Sequence, residues 1–215
     1  MKSGIAVWTA VLATIAYTSS AGAHHSGYMY ATTPIWVKGS VVRFEHVNPH
    51  TIITLEDKAA DGQVRRWAVE GPAQSGLDRR GSDIDVPKVG DTLRFCAFPY
   101  KSAAEISRDP RIRPSVDPSA RRSSPAADGS APQFVAGHVM VMPNGKKQLW
   151  EPHGVIGECV RSSDDQRSSW LDFINSSPSA RLAWCDQLGY AHVQSNASLR
   201  ELVEEMDSSL AQPCK

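Results

Sequence analysis

The sequence predicts a mainly β fold with a helical tail: a small antiparallel OB-like β-barrel of five to six strands followed by C-terminal helices. Three observations predict it. Short β-rich runs separated by turn signals fill residues 35–100 and resume at 133–151, a short helical stretch falls between the third and fourth runs, and the periodicity beyond Gly157 is helical. This is the element order of an OB-type barrel. Another small barrel or a sandwich shares that order, because strand order does not fix strand neighbours.

Ahead of the fold, Lys2, an apolar run from Gly4 to Tyr17 and the triplet Ala21-Gly22-Ala23 read as a secretory signal peptide, residues 1–23, cleaved after Ala23. The apolar run is shorter than the roughly 20 residues that span a bilayer, so no membrane span is expected after cleavage. From Ile35 the first strand places Val42, Phe44 and His46 on one face and Val41 and Arg43 on the other, with a bulge at Gly39-Ser40. Asn48-Pro49 turns the chain into Thr51–Leu55, and Asp61-Gly62 turns it again into Val64–Glu70. Gly71-Pro72 ends this meander. Ala73–Arg80, closed by Gly81, forms one or two helical turns before the fourth strand, Thr92–Phe98.

Residues 101–133 hold prolines, arginines and Ser/Ala spacing with almost no large apolar groups, and read as a flexible insertion. Gln133–Met142 and Lys147–Glu151 then flank the hairpin signal Pro143-Asn144-Gly145. The β-barrel domain therefore comprises 24–100 and 134–157, and 158–215 is a helical, disulfide-linked tail. In it, Ser177-Pro178 starts a helix carrying Leu182, Cys185 and Leu188 that Gly189 stops. A second helix opens on the Ser198/Glu201 capping box.

The whole chain has 23 basic and 23 acidic side chains, and loss of residues 1–23 removes only Lys2, leaving a formal charge of −1. A chain this near neutrality lacks the basic excess that phosphate neutralisation needs, which argues against nucleic acid as a partner. All four cysteines, Cys96, Cys159, Cys185 and Cys214, lie in the exported part, where an oxidising compartment favours two disulfides. Three connectivities are open. The favoured one joins Cys185 to Cys214 on adjacent tail helices and Cys96 to Cys159 between barrel and tail. Zinc is the competing reading, with no C-x-x-C or H-x-x-x-H spacing behind it.

Several motifs recur along the barrel: Ala23-His24-His25-Ser26, Asn48-Pro49-His50, Trp67-x-x-Glu70-Gly71-Pro72, Leu77-x-Arg79-x-Gly81 and Gly90-Asp91. Together they resemble a family of short, exported bacterial proteins described as a domain of unknown function. The resemblance covers about residues 23–100 and resumes around Met142–Trp150, with His46 standing where that pattern has an aromatic residue, often tryptophan. The insertion and the two-cysteine tail depart from it. It implies export and a compact β domain, and supplies no activity.

Chemistry is concentrated in the histidines. Cleavage after Ala23 leaves an α-amine beside the His24 imidazole, a chelate suited to Cu(II), with His25 adding a ligand and His50 or His46 a third imidazole. Cleavage after Ala21 would leave Gly22-Ala23-His24, a square-planar Cu(II) chelate. His138-x-Met140-x-Met142 places three further copper ligands on one strand face, where the ordinary role of methionine is core filling. Copper is the one cofactor candidate, and the bland alternative is a terminus shaped only by cleavage preference.

Asn48 and His50 sit in a strand-to-strand loop within reach of Glu70, as turn-formers or as a binding surface; Glu70 is also placed to cap the helix after it, and Trp67 to enter the core. His50 with Glu45 or Glu70 has no accompanying nucleophile motif, so no enzyme is expected. Trp170, Leu171, Phe173, Trp184 and Leu188 give the tail a heavy apolar load, to be met by the barrel or by a partner. The expectation is a periplasmic or secreted binding or assembly module for an unknown periplasmic protein or small ligand. The alternative is a copper-binding protein using its mature N-terminal histidine.

Overall fold

The computed structural model describes residues 29–58, 60, 62–80, 84–108, 131–151 and 156–194. Its first strand, β1 (Ile35–Glu45), is long because it serves two neighbours. The first half pairs antiparallel with β4 (Thr92–Pro99), from Ile35 opposite Ala97 to Ser40 opposite Thr92. The second half pairs with β2 (Ile52–Lys58), from Ser40 opposite Glu56 to Glu45 opposite Ile52. The changeover falls at Gly39-Ser40, where a Cβ on Gly39 would lie 2.6 Å from the Glu56 carbonyl oxygen, so only glycine permits so close a strand approach. The bulge itself comes two residues later than the sequence suggests, between Val41 and Arg43. It resets the alternation: Val41 is buried, Val42 is 44% exposed and Phe44 packs against the core, so Val42 does not share a face with Phe44.

β2 returns as β3 (Val64–Glu70) through a turn in which Gly62 takes φ 81°, the left-handed conformation that the Asp-Gly pair foretold. Helix α1 (Gln74–Arg80) follows and buries Leu77 against the barrel core. After β4 come the short helix α2 (Ala103–Arg108), strand β5 (Gln133–Val141) and strand β6 (Lys147–Leu149). β4 and β6 both pair antiparallel with β5. β3 closes the ring by pairing in parallel with β5, Trp67–Glu70 alongside Gln133–Ala136. Five strands in a closed ring cannot alternate direction all the way round, so one seam must be parallel. The barrel is therefore mixed, not wholly antiparallel, with β6 as an extra strand. Ile53, Leu55, Val69, Leu93, Phe95 and Trp150, each at most 1% exposed, fill its interior.

Two devices bind other segments to the outside of this barrel. Met29 and Tyr30 run beside the end of β4, with Ala31 N–H donating to the Pro99 carbonyl at 2.8 Å and Lys101 N–H to the Met29 carbonyl at 2.9 Å. Met29 packs on Ile106 of α2. That helix corrects the reading of 101–133 as wholly flexible: Ser102 and Glu105 form a capping box, with Ser102 N–H donating to Glu105 Oε2 at 2.8 Å and Glu105 N–H to Ser102 Oγ at 3.3 Å. Residues 109–130 lie outside the described part, as do residues 1–28, on which the expected signal peptide falls.

The tail supplies α3 (Ile156–Arg161), α4 (Arg167–Ser176) and α5 (Pro178–Gln194). Trp170, Ile174 and Trp184 pack with the outward-facing Cys96, Val139 and Leu149, so the barrel covers the tail's apolar load. A disulfide joins Cys96 of β4 to Cys159 of α3 inside this second core. Cys185 is disulfide-bonded as well, and Cys214 lies outside the described residues. Asp165, between α3 and α4, receives two hydrogen bonds of 2.9 Å from Arg94 and an ion pair at 3.2 Å from Lys147. Its burial opposes the charge, but the Arg94 and Lys147 hydrogen bonds outweigh it and hold the carboxyl below its ordinary pKa. Ser177 caps α5 through its hydroxyl, 3.3 Å from Ala180 N. The helix continues through Gly189 to Gln194, so Gly189 does not stop it; one interior glycine costs only about 1 kcal/mol. The helix expected from Ser198 lies outside the described residues. None of the described helices is long and apolar enough to cross a membrane.

Candidate functional site

The loop between β1 and β2, residues 46–51, lies against the loop that joins β3 to α1. The two are knitted by backbone: Thr51 N–H donates to Pro72 O and Gly71 N–H to Thr51 O, each at 2.9 Å, and Gln74 N–H to Val47 O at 3.2 Å. Asn48, in a cis Asn48-Pro49 bond, accepts from Ser75 N–H through Oδ1 at 3.3 Å. It thereby occupies the start of α1, where Glu70 was expected as the cap. Glu70 has a different role.

Glu70 ends β3 opposite Ile52 and beside Ala136, at 7% exposure. Two donors from distant parts of the chain converge on its carboxylate. The Tyr30 hydroxyl donates to Oε2 at 2.6 Å, and His50 Nδ1 lies 3.1 Å from Oε1 and 3.4 Å from the Gly71 carbonyl. Buried carboxylates need such partners, because an uncompensated charge at this depth costs several kcal/mol. His50 itself keeps a quarter of its side chain exposed. The arrangement orients an imidazole at the barrel surface from a fixed anion behind it, which suits hydrogen bonding to a partner or ligation of a metal.

The remaining motif residues build the support of this site. Thr51 Oγ1 donates to Pro72 O at 2.9 Å, and the Trp150 indole lies so close over Gly71 that a Cβ there would fall 2.0 Å from Nε1. Arg80 of α1 donates to the Trp150 carbonyl at 2.9 Å and to the Leu149 carbonyl. Arg80, and not Arg79 of the Leu-x-Arg-x-Gly motif, makes this contact. Sequence reasoning also missed Tyr30: forty residues separate it from Glu70, and only the fold of the N-terminal segment along β4 joins them.

The structure thus brings Asn48, His50 and Glu70 to one end of the barrel. His46 stacks on Phe44 at 5.6 Å between centroids and lies 3.5 Å from Asp78. Glu45 pairs with Arg43 at 2.9 Å. His24 and His25 lie outside the described residues, among which no cluster of three metal-ligating His, Cys, Asp or Glu side chains occurs. The copper face proposed for β5 is broken by a bulge. Gly137 pairs with Ala97 and Val139 with Cys96, leaving His138 as the extra residue. His138 packs on Phe98 at 4.6 Å, whereas Met140 is buried in the barrel core and Met142 packs against it. Burial alone pushes the His138 pKa down to about 4, so the ring is neutral at pH 7.

An open groove of about 410 Å³ runs elsewhere, between the β5–β6 turn and the α4–α5 junction. Its buried cation, Lys147, is already engaged by Asp165, by Ser169 Oγ at 3.0 Å and by the face of Trp170 at 5.1 Å. The barrel end around Glu70 is the better candidate.

These observations define a closed OB-like barrel with its polar cluster at one end and a helical tail bound to its flank. Residues 11–107 match the model of a family of unknown function (DUF6152), so this part of the chain is similar to that family. The matched segment includes His24, His25, β1–β4 and α1, and stops before β5, the strand that closes the ring. No curated protein and no solved structure matches the chain.

Proposed function

We propose that the protein is an exported, non-enzymatic OB-like binding or assembly module, periplasmic or secreted, whose partner meets the barrel end formed by Asn48, His50 and Glu70. The observation that carries this reading is the Tyr30–Glu70–His50 cluster, which holds a buried anion behind a surface imidazole. Val47, 47% exposed in the same loop, gives this end an apolar contact beside the polar one. A disulfide linking barrel to tail is compatible with passage through an oxidising compartment.

A photo-crosslinking residue placed at Val47 in the exported chain tests the proposal, with one at Leu182 on the tail, 65% exposed, as control. A discrete adduct from position 47, lost on His50→Gln and absent from position 182, is the expected result. No adduct at either position, or equal adducts at both, would overturn it.

A further inference from the structure

We propose that the groove beside β6 takes an extended basic peptide segment of a partner protein as an added strand. The site lies apart from the barrel end, and three observations carry it. The first is an open sheet edge. Trp150 N–H donates to the His138 carbonyl at 2.8 Å and Met142 N–H to the Lys146 carbonyl at 2.9 Å, with Met140 opposite Gln148 between them. Bonded and non-bonded residues alternate along an antiparallel pair, so Lys147 and Leu149 turn their main-chain groups away from β5. Arg80 takes the Leu149 carbonyl. The N–H and carbonyl of Lys147 and the N–H of Leu149 have no partner among the described residues.

The second observation is the groove along that edge. Its volume of about 410 Å³ is bounded on one side by Lys147, Leu149 and the turn before them, and on the other by Ser169, Asp172 and Phe173 of α4; among the described residues none of β5 lines it. It therefore opens on the side of β6 where a further strand would run, about 4.8 Å away. The three free groups match a short segment. One peptide residue exchanges two hydrogen bonds with Lys147, and the residue two places on accepts from Leu149. An edge as short as this three-residue strand resists indiscriminate pairing, so a segment must also fit the groove wall.

The third observation is charge. Lys146 is paired with Asp85 at 2.7 Å and Lys147 with Asp165 at 3.2 Å, and neither carboxylate lines the groove. Asp172 does line it, is exposed, and has no ion pair among the described residues. The charge left for a ligand is therefore negative. Leu149 and Lys147 both face the tail, Leu149 in its core and Lys147 over the Trp170 ring, so peptide side chains directly opposite them face α4 as well. A lysine or arginine at those places meets Asp172.

The test titrates the isotope-labelled exported chain with acetyl-Val-Lys-Val-Lys-Val-amide at millimolar concentration and follows the main-chain amides by nuclear magnetic resonance. Saturable movement of the Lys147 and Leu149 amides is expected. Affinity should be several-fold weaker for the glutamate counterpart of the peptide and for the Asp172→Asn chain, and unchanged in His50→Gln. Backbone N-methylation at the two lysines, whose N–H groups face β6, should weaken binding at least ~tenfold, and N-methylation at the valines should not; this comparison needs no variant of the protein. No saturable movement at the two amides, equal binding of the lysine and glutamate peptides, or equal loss from either N-methylation overturns the proposal. Slow exchange of the Lys147 amide in the chain alone, matching that of Gln148, would show the edge already covered and overturn it too. Loss of binding in His50→Gln would move the peptide to the barrel end, with the same consequence.

Discussion

Acidification should unfold this protein partly through one residue, His138. Its ring lies in a bulge of β5 against Phe98, and burial holds its pKa at about 4 against an ordinary 6.5. The native state therefore resists a proton that the unfolded chain accepts. Stability is complete above pH 6.5 and falls as pH drops toward 4, because across this window the unfolded chain binds more protons. A shift of about 2.5 units corresponds to a total loss of about 3.4 kcal/mol, of which about 2 kcal/mol is spent by pH 5. That is a sizeable part of the 5–15 kcal/mol typical of a domain. The assay is urea unfolding at pH 7 and pH 5 of the parent and of His138→Gln, which keeps a polar side chain of similar size and removes the titration. Carboxylates titrate in both proteins, so the difference between the two pH dependences isolates His138. Identical losses in parent and variant would refute the reasoning, since the ring would then be no harder to charge in the fold than out of it.

Other perturbations follow from the packing. Gly71→Ala places a Cβ within 2.0 Å of Trp150 Nε1, so the indole must move; a loss of about 1–3 kcal/mol and a changed tryptophan fluorescence spectrum are expected, and an unaltered melt would contradict the contact. Opening the Cys96–Cys159 bridge, whose ends are 63 positions apart in sequence, should cost about 4 kcal/mol on chain-entropy grounds, read from denaturant midpoints of the Cys96→Ala/Cys159→Ala variant; a change under about 1 kcal/mol would mean that the two segments stay together without it. Tyr30→Phe removes a hydroxyl donor from a buried carboxylate and should cost about 1.5–3 kcal/mol, with hydrogen exchange faster at Ala31 and Lys101, the amides that tie this segment to β4; unchanged exchange there would show that the tyrosine is not what fastens the segment.

Much of this architecture was legible because it is written in local chemistry. The Asp-Gly and Asn-Gly turns took the left-handed glycines they require, at Gly62 and Gly145, and the Ser177-Pro178 pair opened a helix where its capping chemistry demands one. What escaped was set at a distance or by register. Single-residue bulges at Val42 and His138 each flip the faces downstream, and nothing in the side-chain alternation announces where a strand gains an extra residue. The Ser102/Glu105 capping box was present in the sequence but lay at the head of a segment whose composition masked it. At the site, Asn48, His50 and Glu70 could be named because polar residues in a turn between strands are conspicuous. Tyr30 could not, since its partner is fixed only by the path of the chain along β4.

The way the barrel's outer surface is shared out bears on where a partner can meet it. The tail takes the flank of β4, β5 and β6 through Cys96, Val139 and Leu149. The N-terminal segment takes the end of β4, where Tyr30 stands against Tyr100 and Met29 packs on Ile106 of α2. Helix α1 covers the core from the side of Leu77. On the β1–β2 side the exposed Val42 and Val47 carry no such cover among the described elements, and this side ends in the loop that holds His50. A polar cluster at the centre of a covered surface would be explained by stability alone. This one stands where cover stops, with its carboxylate behind and its imidazole in front, and that order of depth is what the proposed binding role rests on.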